Sequence, residues 1–204
     1  MTKKTVFVFI ASYLIFLIPA PSRFGCGIVL ILCADAIALS LIPLQAVIGR
    51  LRIGNYKNIV TMLAALCITL ILYALLTLWS PITAFTLGFI VYIIPASLFM
   101  SGADYPKGRQ EPFGDSLKKG AKNCAVLSTS ALLFFALREL AAYGTLSFPC
   151  RSGLYIVEIF TVFSVFPVYF WSTIPGALVL FAVQILILSA LYHRYILIQE
   201  EEKQ

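Results

Sequence analysis

Apolar residues in this chain fill long uncharged runs, closed by charged or turn-forming residues. A bilayer core of about 30 Å is crossed by roughly 20 helical residues, because the backbone must satisfy its own polar groups there. Six runs approach that length, at residues 6–20, 24–48, 59–79, 82–100, 121–142 and 174–198. A further apolar stretch, 154–171, is interrupted by Glu158 and Pro167 and reads as either a seventh span or an interfacial segment. The predicted fold is all-α, a single polytopic membrane domain over residues 1–204.

Basic residues choose between the counts, since Lys and Arg accumulate in cytoplasmic loops. With six spans and the N-terminus inside, twelve of the fifteen lie on the cytoplasmic side, and only Arg23, Arg138 and Arg151 lie outside. A seventh span would move Arg194 and Lys203 outward. Six spans with both termini cytoplasmic are therefore expected, with 154–171 at the outer surface.

An internal similarity refines the plan. The segment SYLIFLIPAPS at 12–22 aligns with GFIVYIIPASL at 88–98, placing Ile18-Pro19-Ala20 over Ile94-Pro95-Ala96 at an offset of 76 residues. Each match falls in the first span of a three-span half, about 5–80 and 81–198. An odd number of spans per half makes the two halves inverted across the membrane. Met1-Thr2-Lys3-Lys4 followed by an apolar run also resembles a signal peptide, but removing it would destroy this repeat. Pro19 and Pro95 each remove a helix hydrogen bond, so the paired first helices are expected to be broken or kinked. Such kinks serve packing, or, at matching places in two halves, mark a central site.

Composition agrees: 61% hydrophobic and 12% charged residues with a mean hydropathy of +0.96 leave too few polar residues to coat a soluble core. The formal charge of +6 is read as topology signal and contact with anionic lipid, with no nucleic-acid-binding stripe. A single histidine, His193, leaves no His-cluster metal site and no Ser-His-Asp group.

Few residues remain to carry chemistry. Asp35, at the middle of the second run, has no Lys or Arg within a turn or two. It is either an ion or proton relay or a neutral acid bonded to a neighbouring helix. Arg138 and Glu139, further ion-path candidates, lie at the outer end of the fifth run and point about 100° apart on a helix, so each needs its own partner or serves as an interfacial anchor; Glu158 is a candidate partner for Arg138. Five cysteines, Cys26, Cys33, Cys67, Cys124 and Cys150, show no metal spacing and fit core packing.

Residues 115–149, DSLKKGAKNCAVLSTSALLFFALRELAAYGTLSFP, hold an S-L…G lead into a helix ending in Arg138-Glu139, followed by Gly144-Thr145-Leu146. Val157-Glu158-Ile159-Phe160 and Ile174-Pro175-Gly176-Ala177 come next. Together these resemble the Rnf/Nqr family, the integral membrane proteins of the Rnf and Na+-translocating NADH:quinone reductase complexes, and within it the RnfE/NqrD branch. The resemblance implies a six-span inverted repeat in the bacterial inner membrane. It also implies partners, namely flavin and iron–sulfur subunits and a homologous subunit of inverted topology, in a complex coupling electron transfer to Na+ or proton movement.

In that family each half carries a cysteine on its broken first helix, in L-C-P and N-C-A contexts, and paired subunits share a [2Fe-2S] cluster. The corresponding residues here are Phe16-Leu17-Ile18-Pro19 and Ile93-Ile94-Pro95-Ala96, while Asn123-Cys124-Ala125 matches the second context one helix too late. The chain alone is thus expected to bind no cluster, with Cys26, Cys33 and Cys124 as the remaining substitute set. The expected function is a scaffold or ion-path subunit of such a translocase. The alternatives are an independent small transporter or substrate-capturing membrane component, and a structural membrane protein.

Overall fold

A computed structural model describes residues 16–50, 56–100, 113–150, 153–159 and 168–201. It is mostly helical. Helix α1 is Phe24–Arg50, α2 Lys57–Trp79, α3 Pro81–Leu87, α4 Ile90–Met100, α5 Phe113–Tyr143 and α6 Ile174–Glu201. Between α5 and α6 lie strands β1, Thr145–Cys150, and β2, Gly153–Glu158, and a 3-10 turn, Val168–Ser172.

Among the described residues, three helical segments are long and apolar enough to cross a membrane: Phe24–Ile48, Lys57–Trp79 and Gly114–Tyr143. The pair α3 and α4, bent by 59°, makes a fourth if it is one span. The apolar part of α6, Ile174–Ile187, is shorter. Expected span 6–20 lies largely outside the described residues. Its last part is a helical turn at Phe16–Leu17 followed by a bend through Ile18, Pro19 and Ala20.

Helix α1 is the centre of the bundle, packing against α2, α4, α5 and the hairpin. It runs antiparallel to α5, with Gly27 against Phe135, Asp35 against Ser128 and Ile42 against Gly120. Glycine permits this closeness: a Cβ at Gly27 would overlap the Phe135 ring, and one at Gly120 would overlap Ile42 Cδ1. Phe134 and Phe135 pack edge to face, and Phe181 joins Phe134 from α6. The outward faces stay apolar, as at Leu63, Leu70, Leu75 and Leu186, which suits lipid rather than water.

Two points of the expected plan are resolved, the first one left open by the sequence. Segment 154–171 is not one helix: Leu154 to Glu158 belong to β2, paired antiparallel with β1 from Thr145 opposite Glu158 to Cys150 opposite Gly153. This removes the seventh span and adds a small sheet to the all-α plan. The alternation of Thr, Ser and aromatic residues, with Gly153 opening β2 at φ 128°, favours a hairpin. The second point is a correction and concerns Pro95. It lies inside α4, and the chain breaks at Gly88-Phe89 instead. Gly88 adopts φ 46°, which L-residues avoid, so the turn forms there. Pro19 and Pro95 therefore occupy different local structures, a bend and a helix interior.

Candidate functional site

Polar side chains gather in two places, one at the hairpin end of the bundle and one midway along α1. At the hairpin end the chain leaves α5 through Gly144, whose φ of 65° is the left-handed conformation that ends helices, with its N–H on Leu140 O at 3.0 Å. This turn brings Thr145 and Ser147 back over the last turn of α5. The Glu139 carboxylate, fully buried, fills the space between.

Its Oε1 accepts from Arg23 Nη1 at 3.2 Å and Thr145 Oγ1 at 3.1 Å. Its Oε2 accepts from the Phe24 N–H at 2.6 Å, the Ser147 N–H at 3.0 Å and Ser147 Oγ at 2.8 Å. A carboxylate thus sits on the first N–H of α1, where the helix dipole favours negative charge. Ser147 Oγ also accepts the Gly25 N–H at 3.1 Å. Arg23, the partner in the only ion pair among the described residues, lies 4.3 Å above the Tyr143 ring.

Arg138, one residue earlier, faces the other way and is 2% exposed. Its guanidinium donates to Ala20 O at 2.8 Å and Ile18 O at 3.5 Å, and to Ser172 O at 3.0 Å and Trp171 O at 3.3 Å. Its hydrogen-bond acceptors among the described residues are carbonyls, and it binds the Pro19 bend to the 3-10 turn. The proposed partner Glu158 is exposed on β2 and is not among these contacts. Sequence spacing carries no sign of the real partners, which are backbone groups.

Thr173 precedes α6, and its Oγ1 receives the Gly176 N–H at 3.4 Å, an N-cap. Pro175 then occupies the first helical turn, where its missing N–H costs nothing. Gly176 is required: a Cβ there would collide with Phe170 O. Arg138, Glu139, Gly144, Thr145, Pro175 and Gly176, scattered over three sequence motifs, therefore share one end of the molecule. They hold backbone, and every charged donor or acceptor among them is bonded.

The middle of α1 differs. Asp35 Oδ2 lies 2.5 Å from Ser128 Oγ, and the Cys124 thiol interacts with the same carboxyl. Asp35 Oδ1 is buried without a hydrogen-bond partner. No counter-charge among the described residues approaches it, which separates it from Arg138 and Glu139 as an ion-path candidate. On the far side of α5, buried Gln184 donates to Ser130 O at 2.7 Å and leaves its own Oε1 without a partner.

Cys26, Cys33 and Cys124 are buried, but among the described residues no three His, Cys, Asp or Glu side chains converge as a metal site. The fold does not assemble the substitute cysteine set. What emerges is a mostly helical protein with membrane-crossing segments, locked at one end and carrying a lone acid between two of its helices. Neither a protein-family model nor a curated protein matches the chain.

Proposed function

We propose that the chain is a membrane subunit of an ion-translocating electron-transport complex of the Rnf/Nqr kind, supplying scaffold and an ion path without a redox centre of its own. The same proposal includes six spans in two inverted halves, 5–80 and 81–198, in the bacterial inner membrane with both termini cytoplasmic. It also includes the flavin and iron–sulfur partner subunits and a homologous subunit of inverted topology.

One observation carries the ion path: Asp35 is an intramembrane carboxyl with a buried, unbonded oxygen and no cation beside it. A packing acid would be expected to have both oxygens satisfied, as Glu139 has; an ionisable group left open at membrane depth is a functional site by default. The kind of complex comes from the resemblance, whose Arg-Glu, Gly-Thr and Pro-Gly residues lie in the hairpin-end network described above.

The test uses the tagged chain in its native membrane. Co-purification with flavin- and iron–sulfur-bearing subunits is expected, and Asp35→Asn is expected to abolish ion transport while the complex still assembles. A chain that purifies alone sinks the complex, and unchanged transport in the assembled variant sinks the ion path.

A further inference from the structure

Ser128 sits at a proton-counting conflict. Its Oγ lies 2.8 Å from the Cys124 carbonyl and 2.5 Å from Asp35 Oδ2, and both are acceptors when Asp35 is ionised. A hydroxyl carries one proton, so it can make a full, well-aligned bond to only one of the two acceptors. The conflict disappears if Asp35 holds a proton on Oδ2: the acid donates to Ser128 Oγ, and Ser128 donates to Cys124 O. The unbonded Oδ1 is then a neutral carbonyl oxygen instead of part of an uncompensated buried charge.

We infer that Asp35, Ser128 and the Cys124 carbonyl form a proton-binding site, so that the ion taken up at the middle of α1 is a proton and not Na+. This rests on the ion-path reading of Asp35. Proton uptake forms the Oδ2–H bond and turns the Ser128 hydroxyl from the carboxylate to the Cys124 carbonyl; release reverses both. The donors argue against a metal cation, because hard cations collect roughly six oxygens and disfavour thiols. Here one carboxyl, one hydroxyl, and the carbonyl and thiol of Cys124 are gathered, short of six oxygens.

Among the described residues, no other charge intervenes from the helices around α1. Lys57 at the start of α2 is its only charged residue, and α3 and α4 have none. Tyr73 of α2 points to Ala84 O and stacks near Tyr92 of α4. On α5, Asp115, Lys118 and Lys122 lie towards its start, before Cys124. Arg23 and Glu139 are at the hairpin end, about 18 Å along α1 by helical rise.

Infrared spectroscopy of the full chain in phosphatidylethanolamine–phosphatidylglycerol vesicles tests the assignment at neutral pH, in Na+ and in choline at equal ionic strength. A carboxylic-acid carbonyl band is expected in both salts, lost in Asp35→Asn and displaced in Ser128→Ala. Labelling wild-type aspartate with carbon-13 identifies the band should a variant misfold. Absence of an aspartic acid band, or its loss when Na+ replaces choline, overturns the inference. Transport by the complex is read separately. A Na+-sensitive band with transport lost in Asp35→Asn rejects the proton and keeps the ion path. A persistent acid band with unchanged transport does the reverse.

Discussion

Glu139 accepts the Phe24 N–H at 2.6 Å, so the side chain at the end of α5 caps the start of α1 across 115 residues of sequence. Several contacts at this end join parts equally distant in sequence, and this one joins charge to a helix terminus where the dipole adds to the bond.

Replacing Glu139 therefore has a defined cost. In Glu139→Gln the new amide N–H₂ meets donors already aimed at the carboxylate, and Arg23 loses its counter-charge. A loss of about 3–5 kcal/mol is expected, read as lowered thermal stability in detergent. Arg138→Lys keeps the charge but has no planar fork to reach carbonyls on two segments. It should lose on the order of 2 kcal/mol and raise amide hydrogen exchange around residues 18–23.

Three glycines give a graded series. Gly176→Ala drives a Cβ into Phe170 O and should cost at least about 2 kcal/mol. Gly144→Ala forces an L-residue into the left-handed region, at about 1–2 kcal/mol. Gly114→Ala, with nothing within 4 Å, should stay within about 0.5 kcal/mol of wild type. Equal melting temperatures across the series would contradict these geometries.

Membrane sidedness follows from where the ends of α1 lie. Arg50, Lys57, Lys118 and Lys122 belong to the end opposite the hairpin, while exposed Trp79, Phe148, Tyr155 and Tyr169 mark the hairpin end. Basic residues favour the cytoplasm and aromatic residues the interface. In a Cys67→Ser, Cys150→Ser background, Tyr155→Cys should react with an impermeant thiol reagent on intact spheroplasts, and Asn58→Cys only after lysis. The reverse pattern would invert the protein.

Iron binding is expected to be absent from the purified chain. Thiolates for a [2Fe-2S] centre would have to come from Cys26, Cys33 and Cys124, which do not converge. A stoichiometric low-temperature EPR signal, lost in Cys124→Ser, would restore an electron-carrying role.

Long apolar runs make most helices legible. The run at 24–48 matches Phe24–Arg50, and that at 59–79 matches Lys57–Trp79, because lipid leaves the backbone no other option. Segment 154–171 stays open between a span and an interfacial segment because its strand is short and equally apolar. The period-two pattern in Gly153–Glu158 is present but faint over six residues. Pro95 draws the expected break because proline is conspicuous, while Gly88, where the chain does turn, lies in an apolar run with no other stop signal. Asp35 stands out because charge is rare in such runs. Ser128 does not, since serine inside a membrane helix usually bonds its own backbone.

Held so unequally, α1 and α5 behave as a pair of tongs. The hairpin end is a rivet, with a carboxylate, a guanidinium and the hydroxyls of Thr145, Ser147, Ser22 and Tyr143 joined by hydrogen bonds. At the midpoint the Asp35 carboxyl reaches across the blades to the Ser128 hydroxyl and the Cys124 thiol. Relative movement of the two helices meets polar links at the rivet and at the midpoint, and, at the proposed proton site, moving one proton alters the polar contacts that bridge the blades there.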